Sequence, residues 1–366
     1  MNDKGRGRLK MYLGYAAGVG KTYQMLEDAQ ELRRQGVDVV VGYFEPHGRQ
    51  DTIAKLEGLE VIPRKILEYR GTRLEEMDAD AILRRRPAVA VVDEFAHTNV
   101  PGSARLKRWE DVRVLLDAGI DVLTTMNVQH LESLNDQVWN VTGIRVRETV
   151  PDWVVDEADE VRFIDLTPRA LRNRLERGVV YRREKAQQAM EHFFTESNLA
   201  ALREFALRYA AHEIEGKLPP APAEDVPDRQ ERILICVSGN PFSASLIRRG
   251  KRVADYLRGD CVALHVLPKG GWAELPASTR DAVERHLHFA RNLRIDTHAI
   301  TDGDVAHAIA DFARARQVTQ IFLGRSAPRP WFQHMKETLV QQVVRLSTDT
   351  QVTIVAERHR AAEARG

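Results

Sequence analysis

The chain has 366 residues, with 54 Lys and Arg against 53 Asp and Glu, so its formal net charge of +1 gives no electrostatic reason to expect nucleic-acid binding. Two cysteines are too few for a disulfide framework or a multi-cysteine zinc site, and no apolar run approaches the roughly 20 residues that a membrane-spanning helix needs. At roughly 150 residues per domain, and with 43% hydrophobic residues, the composition predicts a soluble, cytoplasmic protein of two or three domains.

The first two-thirds of the chain alternates short β-branched runs with helical patterns. Strands are predicted at residues 9–13, 37–43, 88–93 and 121–125, and helices at residues 21–35, 78–86 and 106–118. Nearly continuous apolar strands between helices are typical of a parallel sheet covered on both faces. Apolar residues at three- and four-residue spacing predict one long helix over residues 184–213, as a helical extension of this domain or an arm leading out of it.

Four prolines between residues 219 and 227 predict a semi-rigid linker at 218–230, which separates a first domain (1–217) from a second (231–357) and a tail (358–366). In the second domain, strands are predicted at residues 233–237, 261–266, 294–300, 320–324 and 352–356, and helices at residues 244–257, 279–292, 305–316 and 338–346. This alternation predicts a small doubly wound α/β domain.

The strongest chemical signal is GYAAGVGKT at residues 14–22, which follows a predicted strand and opens a predicted helix. Such a loop turns backbone N–H groups toward phosphates, its lysine reaches the β- and γ-phosphates, and its threonine offers a hydroxyl to Mg²⁺. The predicted nucleotide-binding residues here are Gly14, Gly18, Val19, Gly20, Lys21 and Thr22. The strict motif would place its first glycine at Tyr15, one position later than Gly14, and the alternative interpretation is a glycine-rich turn without a ligand.

Polar residues follow the other predicted strands. Asp93 and Glu94 end strand 88–93, where Asp93 would hold Mg²⁺ together with Thr22, and Glu94 would orient or deprotonate an attacking water as the catalytic residue. Asn127 follows strand 121–125 and would sense the γ-phosphate, while Arg49 could contact phosphate or a partner. The alternatives are acidic residues that merely end a strand and an asparagine that caps a loop.

Five runs in this order resemble the N-terminal cytoplasmic region of the KdpD family of potassium-responsive sensor kinases. They are GYAAGVGKTYQML (14–26), FEPHGRQDT (44–52), VDEFAHTNVPGSARLKRWED (92–111), AGIDVLTTMNVQHLESLND (118–136) and TGIRVRETVPD (142–152). Residues 233–356 resemble the universal-stress-protein domain that follows in this family. The resemblance implies an ATP-binding sensory domain with a P-loop sheet, followed by a universal-stress-protein-like domain.

The resemblance also implies a regulatory function in potassium uptake. Family members continue into four transmembrane helices and a histidine kinase, whereas this sequence ends at Gly366, as an excised region or a short protein. MgATP binding would shift the balance of kinase and phosphatase activity toward the response regulator KdpE, or act in trans on a separate sensor kinase or a transporter subunit, with a homo-oligomer as a further expectation. The alternatives are a slow P-loop ATPase or small-molecule kinase that uses Glu94, and a scaffold with a relic nucleotide site.

The second domain departs from the ligand-binding patterns of its relatives. Nucleotide-binding stress proteins carry a glycine-rich turn after the fourth strand, but here Ala327 replaces its second glycine. Some members of the resembled family bind cyclic di-AMP through S-x-S and F-T-A-x-Y runs, of which only Ser238 and Ala263 match. The resemblance therefore makes cyclic di-AMP a candidate ligand that most of the motif positions do not support.

Overall fold

The computed structural model describes residues 5–46, 49–177, 193–217, 231–324 and 338–356. The chain divides into two compact units, Met1–Pro219 and Pro220–Gly366. The predicted linker at 218–230 and the tail at 358–366 lie outside the described residues and stay predictions. Within the described ranges, no helix combines the length and the apolar character needed to cross a bilayer.

A six-stranded parallel sheet forms the centre of the first unit. Its strands are β1 (Leu9–Gly14), β2 (Val39–Tyr43), β3 (Glu60–Val61), β6 (Val89–Val92), β7 (Asp121–Asn127) and β8 (Glu160–Phe163), in the order β3-β2-β6-β7-β1-β8. An antiparallel hairpin of β4 (Lys65–Tyr69) and β5 (Thr72–Glu76), absent from the predicted elements, lies apart from this sheet. The parallel sheet confirms the predicted α/β fold class.

Eight α-helices of the first unit are described. They are α1 (Lys21–Arg34), α2 (Gln50–Ile53), α3 (Ala79–Arg85), α4 (Arg108–Asp117), α5 (Asn135–Thr142), α6 (Asp152–Asp156), α7 (Pro168–Glu176) and α8 (Glu196–Lys217). Side chains alternate along a strand, so β1 sends Met11 and Leu13 into one apolar cluster and Tyr12 into another on the opposite face. The sheet is therefore buried on both faces, as its apolar strands predict.

The prediction of one helix over residues 184–213 is wrong at residues 193–195, which are not helical, and residues 184–192 lie outside the described part of the chain. The helix α8 begins at Glu196, and the Thr195 hydroxyl accepts a hydrogen bond from the Asn198 backbone N–H at 3.3 Å. Phe194 is buried in the core of the first unit. The spacing of apolar residues does not reveal where this helix starts. The apolar positions continue through residues 193–195, although the backbone there is not helical and Thr195 caps the helix that follows.

The second unit contains a five-stranded parallel sheet. Its strands are β9 (Arg232–Cys236), β10 (Asp260–Leu267), β11 (Asp296–Thr301), β12 (Gln320–Gly324) and β13 (Gln351–Val355), in the order β11-β10-β9-β12-β13. The helices described between them are α9 (Ser243–Tyr256), α10 (Ala277–Asn292), α11 (Val305–Ala315) and α12 (Leu339–Leu346). The strand order reverses between β9 and β12, which confirms the predicted doubly wound arrangement.

Both cysteines lie in this second sheet, on neighbouring strands. Cys236 is in β9 and Cys261 is in β10, and both are free thiols. Burial raises the pKa of each thiol to about 12. Neither thiol is therefore ionised at neutral pH.

Candidate nucleotide-binding site

The glycine-rich loop joins the end of β1 to the start of α1. Gly18 and Gly20 have φ angles of 90° and 110°, a region that side-chain-bearing residues rarely adopt. A Cβ atom on Gly14 would lie 2.7 Å from Cγ2 of Val19 and 3.0 Å from Cδ of Lys21. The loop therefore folds back over the end of its own strand, and glycine at position 14 makes this close approach feasible.

The side chain of Lys21 is held inside this loop. It is 8% exposed, and its ammonium group donates to the Ala16 carbonyl at 3.1 Å and to Oδ1 of Asn127 at 2.5 Å. Burial lowers the pKa of Lys21 to about 8, although the charges of Glu94 and Asp93 oppose this shift. The ammonium group is thus desolvated and held in place by neutral oxygen atoms.

Asn127 reaches Lys21 because β7 lies between β1 and β6. The parallel pairing of β1 with β7 sets Gly14 opposite Asn127, so the asparagine stands at the strand end beside the glycine-rich loop. The pairing of β7 with β6 sets Val92 opposite Thr124, so Asp93, which follows β6, lies on the other side of Asn127. The sheet order thus brings the three strand ends together at its carboxyl edge.

Asp93 is buried against two hydroxyl groups. The carboxylate is 1% exposed, and its Oδ1 accepts hydrogen bonds from Oγ1 of Thr125 at 2.5 Å and from Oγ1 of Thr22 at 3.3 Å. Burial and the neighbouring charge of Glu94 raise the pKa of Asp93. The structure therefore brings the predicted Mg²⁺ ligands, Thr22 and Asp93, into direct contact.

Glu94 adopts a backbone conformation that is unusual for a residue with a side chain. Its φ angle is 58°, and its backbone N–H donates to Oγ1 of Thr125 at 3.3 Å. Backbone strain of this kind costs of order 1–3 kcal/mol and persists where the surroundings enforce it, often at functional sites. Thr125, which sequence analysis did not single out, anchors both Asp93 and Glu94.

A buried ion pair lies behind Asp93. Arg108 is 0% exposed, and its guanidinium donates to Oε1 of Glu76 at 2.6 Å and to the Asp93 carbonyl at 3.3 Å. The same guanidinium lies 3.6 Å from the centre of the Tyr43 ring, and Oε2 of Glu76 contacts Nε2 of His97 at 3.0 Å. This network fixes the backbone on which Asp93 and Glu94 stand.

Two contacts join the glycine-rich loop to α7 and the residues before it. The Tyr15 hydroxyl donates to the Leu166 carbonyl at 2.8 Å, and Nη1 of Arg174 donates to the Gly18 carbonyl at 3.2 Å. The residue pairs are separated by 151 and 156 positions in the chain. Sequence analysis missed both contacts, because no local pattern marks them.

The second unit has a cavity of about 370 Å³ at the carboxyl ends of β9, β10 and β12. Ser238 and His265 are among its lining residues, whereas Ala263 is fully buried within β10. Nδ1 of His265 bonds to the Val237 carbonyl at 2.8 Å, and among the described residues Nε2 of the same ring has no hydrogen-bond partner. The cavity lies where the strand order reverses, which is where doubly wound folds bind ligands.

A family model described as the osmosensitive K⁺ channel His kinase sensor domain of KdpD matches residues 5–214. The chain belongs to the KdpD family. The sensor protein KdpD of Escherichia coli is 46% identical over 355 residues, covering 96% of this chain and 39% of that protein. KdpD of Mycobacterium tuberculosis CDC 1551 is 42% identical, with 96% of this chain and 41% of that protein covered.

A KdpD relative from Synechocystis sp. is 42% identical over 96% of this chain and 94% of that protein. The chain thus spans about two fifths of the Escherichia coli and Mycobacterium tuberculosis proteins and nearly all of the Synechocystis one. Among solved structures, a universal stress protein in complex with cAMP has a TM-score of 0.29 at 13% identity, covering 35% of this chain and 97% of that one. A universal stress protein from Archaeoglobus fulgidus has a TM-score of 0.28 at 15% identity, covering 34% and 92%.

In this KdpD domain, the structure brings most of the residues that the motifs predict to one edge of the sheet. Lys21 is hydrogen-bonded to Asn127, and Thr22 is hydrogen-bonded to Asp93, which Glu94 follows in the chain. The residues that sequence reasoning missed are Thr125, Glu76, Arg108 and Arg174. Thr125 had a signal, since it ends the predicted strand 121–125 and stands two residues before Asn127.

Proposed function

We propose that this KdpD domain binds MgATP at residues 14–22 and acts as a regulatory, sensory module in potassium-responsive two-component signalling. The observation that carries the proposal is the position of Lys21. Its ammonium group is buried inside a glycine-rich turn at a strand–helix junction, where neutral oxygen atoms hold it. A desolvated cation costs free energy in the absence of an anion, so phosphate binding would stabilise this arrangement.

The surrounding groups suit a magnesium nucleotide. The amides of Gly18, Val19 and Gly20 would meet phosphate oxygens, and Asn127 would contact the phosphate that Lys21 binds. Thr22 and Asp93 would hold Mg²⁺, which when bound supplies positive charge that neutralises the phosphates. Among the described residues, Nε of Arg49 is buried without a hydrogen-bond partner, and the charge of Arg49 lowers the pKa of Lys21. Arg49 is therefore a second cation that an anion would stabilise.

The output of nucleotide binding would pass through α7 and α8 to a signalling partner. We propose the response regulator KdpE, a separate Kdp sensor kinase or a subunit of the potassium transporter as that partner, since the chain belongs to the KdpD family of sensor kinases. Binding of MgATP would shift the balance between phosphorylation and dephosphorylation of the regulator. A homo-oligomer of this chain would present one such site per copy to the partner.

Calorimetric titration of MgATP into the full chain tests the proposal, with phosphate release followed in the same samples. We expect micromolar binding to wild type, loss of binding in Lys21→Ala, and little turnover. Lys55→Ala is a matched control, because Lys55 is a surface residue that pairs with Glu27 at 2.9 Å. The absence of MgATP binding to the wild-type chain would refute the proposal.

A second candidate function is a slow ATPase or small-molecule kinase with Glu94 as the base. The left-handed backbone at Glu94 favours it, because such strain recurs at catalytic residues. Glu94 would accept a proton from the attacking water or acceptor hydroxyl, while Lys21 and Asn127 orient the phosphates. In that case Glu94→Gln would retain MgATP affinity and lose turnover, whereas a regulatory module would show negligible turnover in both proteins.

Cyclic di-AMP is an alternative ligand for the second unit. Ser238, a residue that matches the motif of cyclic di-AMP-binding members, lines the cavity at the end of β9. His265 stands at the position of the motif tyrosine, and it lines the same cavity. Titration of cyclic di-AMP into wild type and Ser238→Ala tests this alternative, and no heat of binding in wild type would eliminate it.

A further inference from the structure

Arg174 lies near the end of α7, a helix whose position is fixed by packing. The Thr167 hydroxyl caps α7 by accepting from the Ala170 backbone N–H at 3.3 Å, and Pro168 occupies the first turn. Leu171 and Leu175, one turn apart, are fully buried in the core of the first unit. Packing on both sides of Arg174 along the helix therefore holds its Cα atom close to the glycine-rich loop.

The guanidinium group of Arg174 contacts the loop at its two left-handed glycines. Nη1 donates to the Gly18 carbonyl at 3.2 Å, and it lies 3.7 Å from the point that a Cβ on Gly20 would occupy. Gly18 and Gly20 flank the backbone amides that turn toward a bound phosphate in loops of this kind. Arg174 thus approaches from outside the motif the same segment that Lys21 approaches from within.

Among the described residues, no acidic group neutralises the charge of this guanidinium. In the described ranges, the neutral Gly18 carbonyl is its sole hydrogen-bond partner, and no carboxylate lies within ion-pair distance of it. Other arginines nearby differ in this respect, since Arg203 pairs with Asp165 and Arg172 lies 3.9 Å from Glu196. An arginine fork is suited to bidentate contact with phosphate, for which one carbonyl is an incomplete substitute.

We propose that Arg174 is a nucleotide-contacting residue that α7 supplies, and that it moves from the Gly18 carbonyl to the terminal phosphate of a bound triphosphate. This inference rests on the proposed MgATP site. Because Leu171 and Leu175 anchor α7, such a contact makes the helix sensitive to the presence of the terminal phosphate. The ion pairs of Arg172 and Arg203 connect the α7 region to α8. A contact of Arg174 with the terminal phosphate would therefore also affect the position of α8.

Paired titrations of MgATP and MgADP into the full chain test the inference, with wild type, Arg174→Ala, Arg174→Lys and Arg169→Ala compared. Arg169 is an exposed arginine on the same helix and serves as the matched control. We expect Arg174→Ala to weaken MgATP binding by about tenfold, the loss of one charge-assisted hydrogen bond, and MgADP binding by much less. Arg174→Lys should recover part of the MgATP affinity, and the melting temperature without nucleotide should match that of Arg169→Ala.

The outcomes separate the two proposals. If wild type binds neither nucleotide, the MgATP site fails, and the role of Arg174 fails with it. If wild type binds MgATP and Arg174→Ala keeps the wild-type affinities, the inference about Arg174 alone is wrong. Equal weakening of MgATP and MgADP would also overturn it, because a residue that merely supports the loop would affect both nucleotides alike.

Discussion

The ammonium of Lys21 and the side-chain carbonyl of Asn127 are joined by a 2.5 Å hydrogen bond across 106 residues of sequence. Strand register explains the contact, because β7 sets Asn127 opposite Gly14 at the end of β1. The same asparagine oxygen that holds the ammonium would compete with an incoming phosphate for it. Asn127 therefore keeps Lys21 in place without neutralising its charge.

The affinity for MgATP is expected to fall above pH 8. Burial lowers the pKa of Lys21 to about 8 in the free protein, and phosphate binding requires the protonated ammonium. One pH unit above this pKa, about a tenth of the free protein carries the proton, so affinity at pH 9 should be about tenfold lower than at pH 7. Calorimetry at both pH values measures this change.

Proton uptake gives an independent check on that assignment. Titrations at pH 8.5 in two buffers of different ionisation enthalpy should show uptake of about three quarters of a proton per nucleotide bound to wild type, since the pKa of Lys21 is about 8. Lys55→Ala, the surface control, leaves Lys21 and its contacts unchanged and should retain this uptake. A flat affinity profile from pH 7 to pH 9 would mean that Lys21 stays protonated in the free protein.

Asp93→Asn should remove the Mg²⁺ dependence of ATP binding. Asparagine keeps the shape of Asp93 and its contact with Thr125 but lacks the charge that Mg²⁺ needs. We expect ATP affinity to be equal with Mg²⁺ and with EDTA in the variant, and stronger with Mg²⁺ in wild type. Since burial and Glu94 raise the pKa of Asp93, the ionised group opposes folding at pH 7, and the variant should melt at a higher temperature. Unchanged Mg²⁺ dependence in Asp93→Asn would exclude it as a ligand.

The pair of Glu76 and Arg108 should dominate the stability of the segment behind the site. Removal of one partner leaves a buried charge, so Arg108→Met should cost about 3–5 kcal/mol in the free energy of unfolding. The double variant Glu76→Met/Arg108→Met should cost less than the sum of the single changes. Hydrogen exchange of peptides from β6 measures both effects, and an additive double variant would show that the two charges do not interact.

Acid should weaken this part of the fold through Glu76. Burial alone would raise the pKa of Glu76, but the contacts with His97 and Arg108 lower it to about 2. A lowered folded-state pKa gives stability that is present above the unfolded value near 4.5 and is lost as pH falls toward 2. The double variant should therefore lose less stability than wild type over that range.

His265 should make the second unit sensitive to mild acid. Burial lowers the pKa of His265 from its usual value of 6.5, because the charged imidazolium ring would lose its hydration in this position. Stability should therefore fall as pH drops from 7 to 5, and His265→Phe should flatten this decline. The exposed His288 provides the control variant His288→Gln. Hydrogen exchange of β9 and β10 peptides gives the readout, and an equal decline in both variants would contradict the assignment.

Local sequence signals predicted much of the sheet and of the site. Strands β1, β2, β6 and β7 are apolar runs that end in functional groups, so the positions of Lys21, Asp93 and Asn127 follow from motif and fold class together. The hairpin of β4 and β5 was not predicted, because most of its residues are exposed and polar. Periodicity identifies strands only where one face is buried.

The remaining parts of the site depend on tertiary packing. Arg174 contacts a loop 156 residues away, and its spacing relative to Leu171 and Leu175 is that of any amphipathic helix. Arg108 belongs to a charged run that would ordinarily be solvated, yet the fold buries it against Glu76 and Tyr43. No local sequence pattern identifies Arg174 or Arg108, because the role of each depends on contacts with residues that are distant in the sequence.

The high pKa of the two thiols has a practical consequence for spectroscopy. At neutral pH, Cys236 and Cys261 are almost entirely protonated, and the protonated form is a poor nucleophile toward alkylating reagents. A cysteine introduced at the exposed Arg208 of α8 would react far faster than either. Fluorescent or spin labels can therefore be attached by maleimide chemistry in the natural background, without first replacing either sulfur.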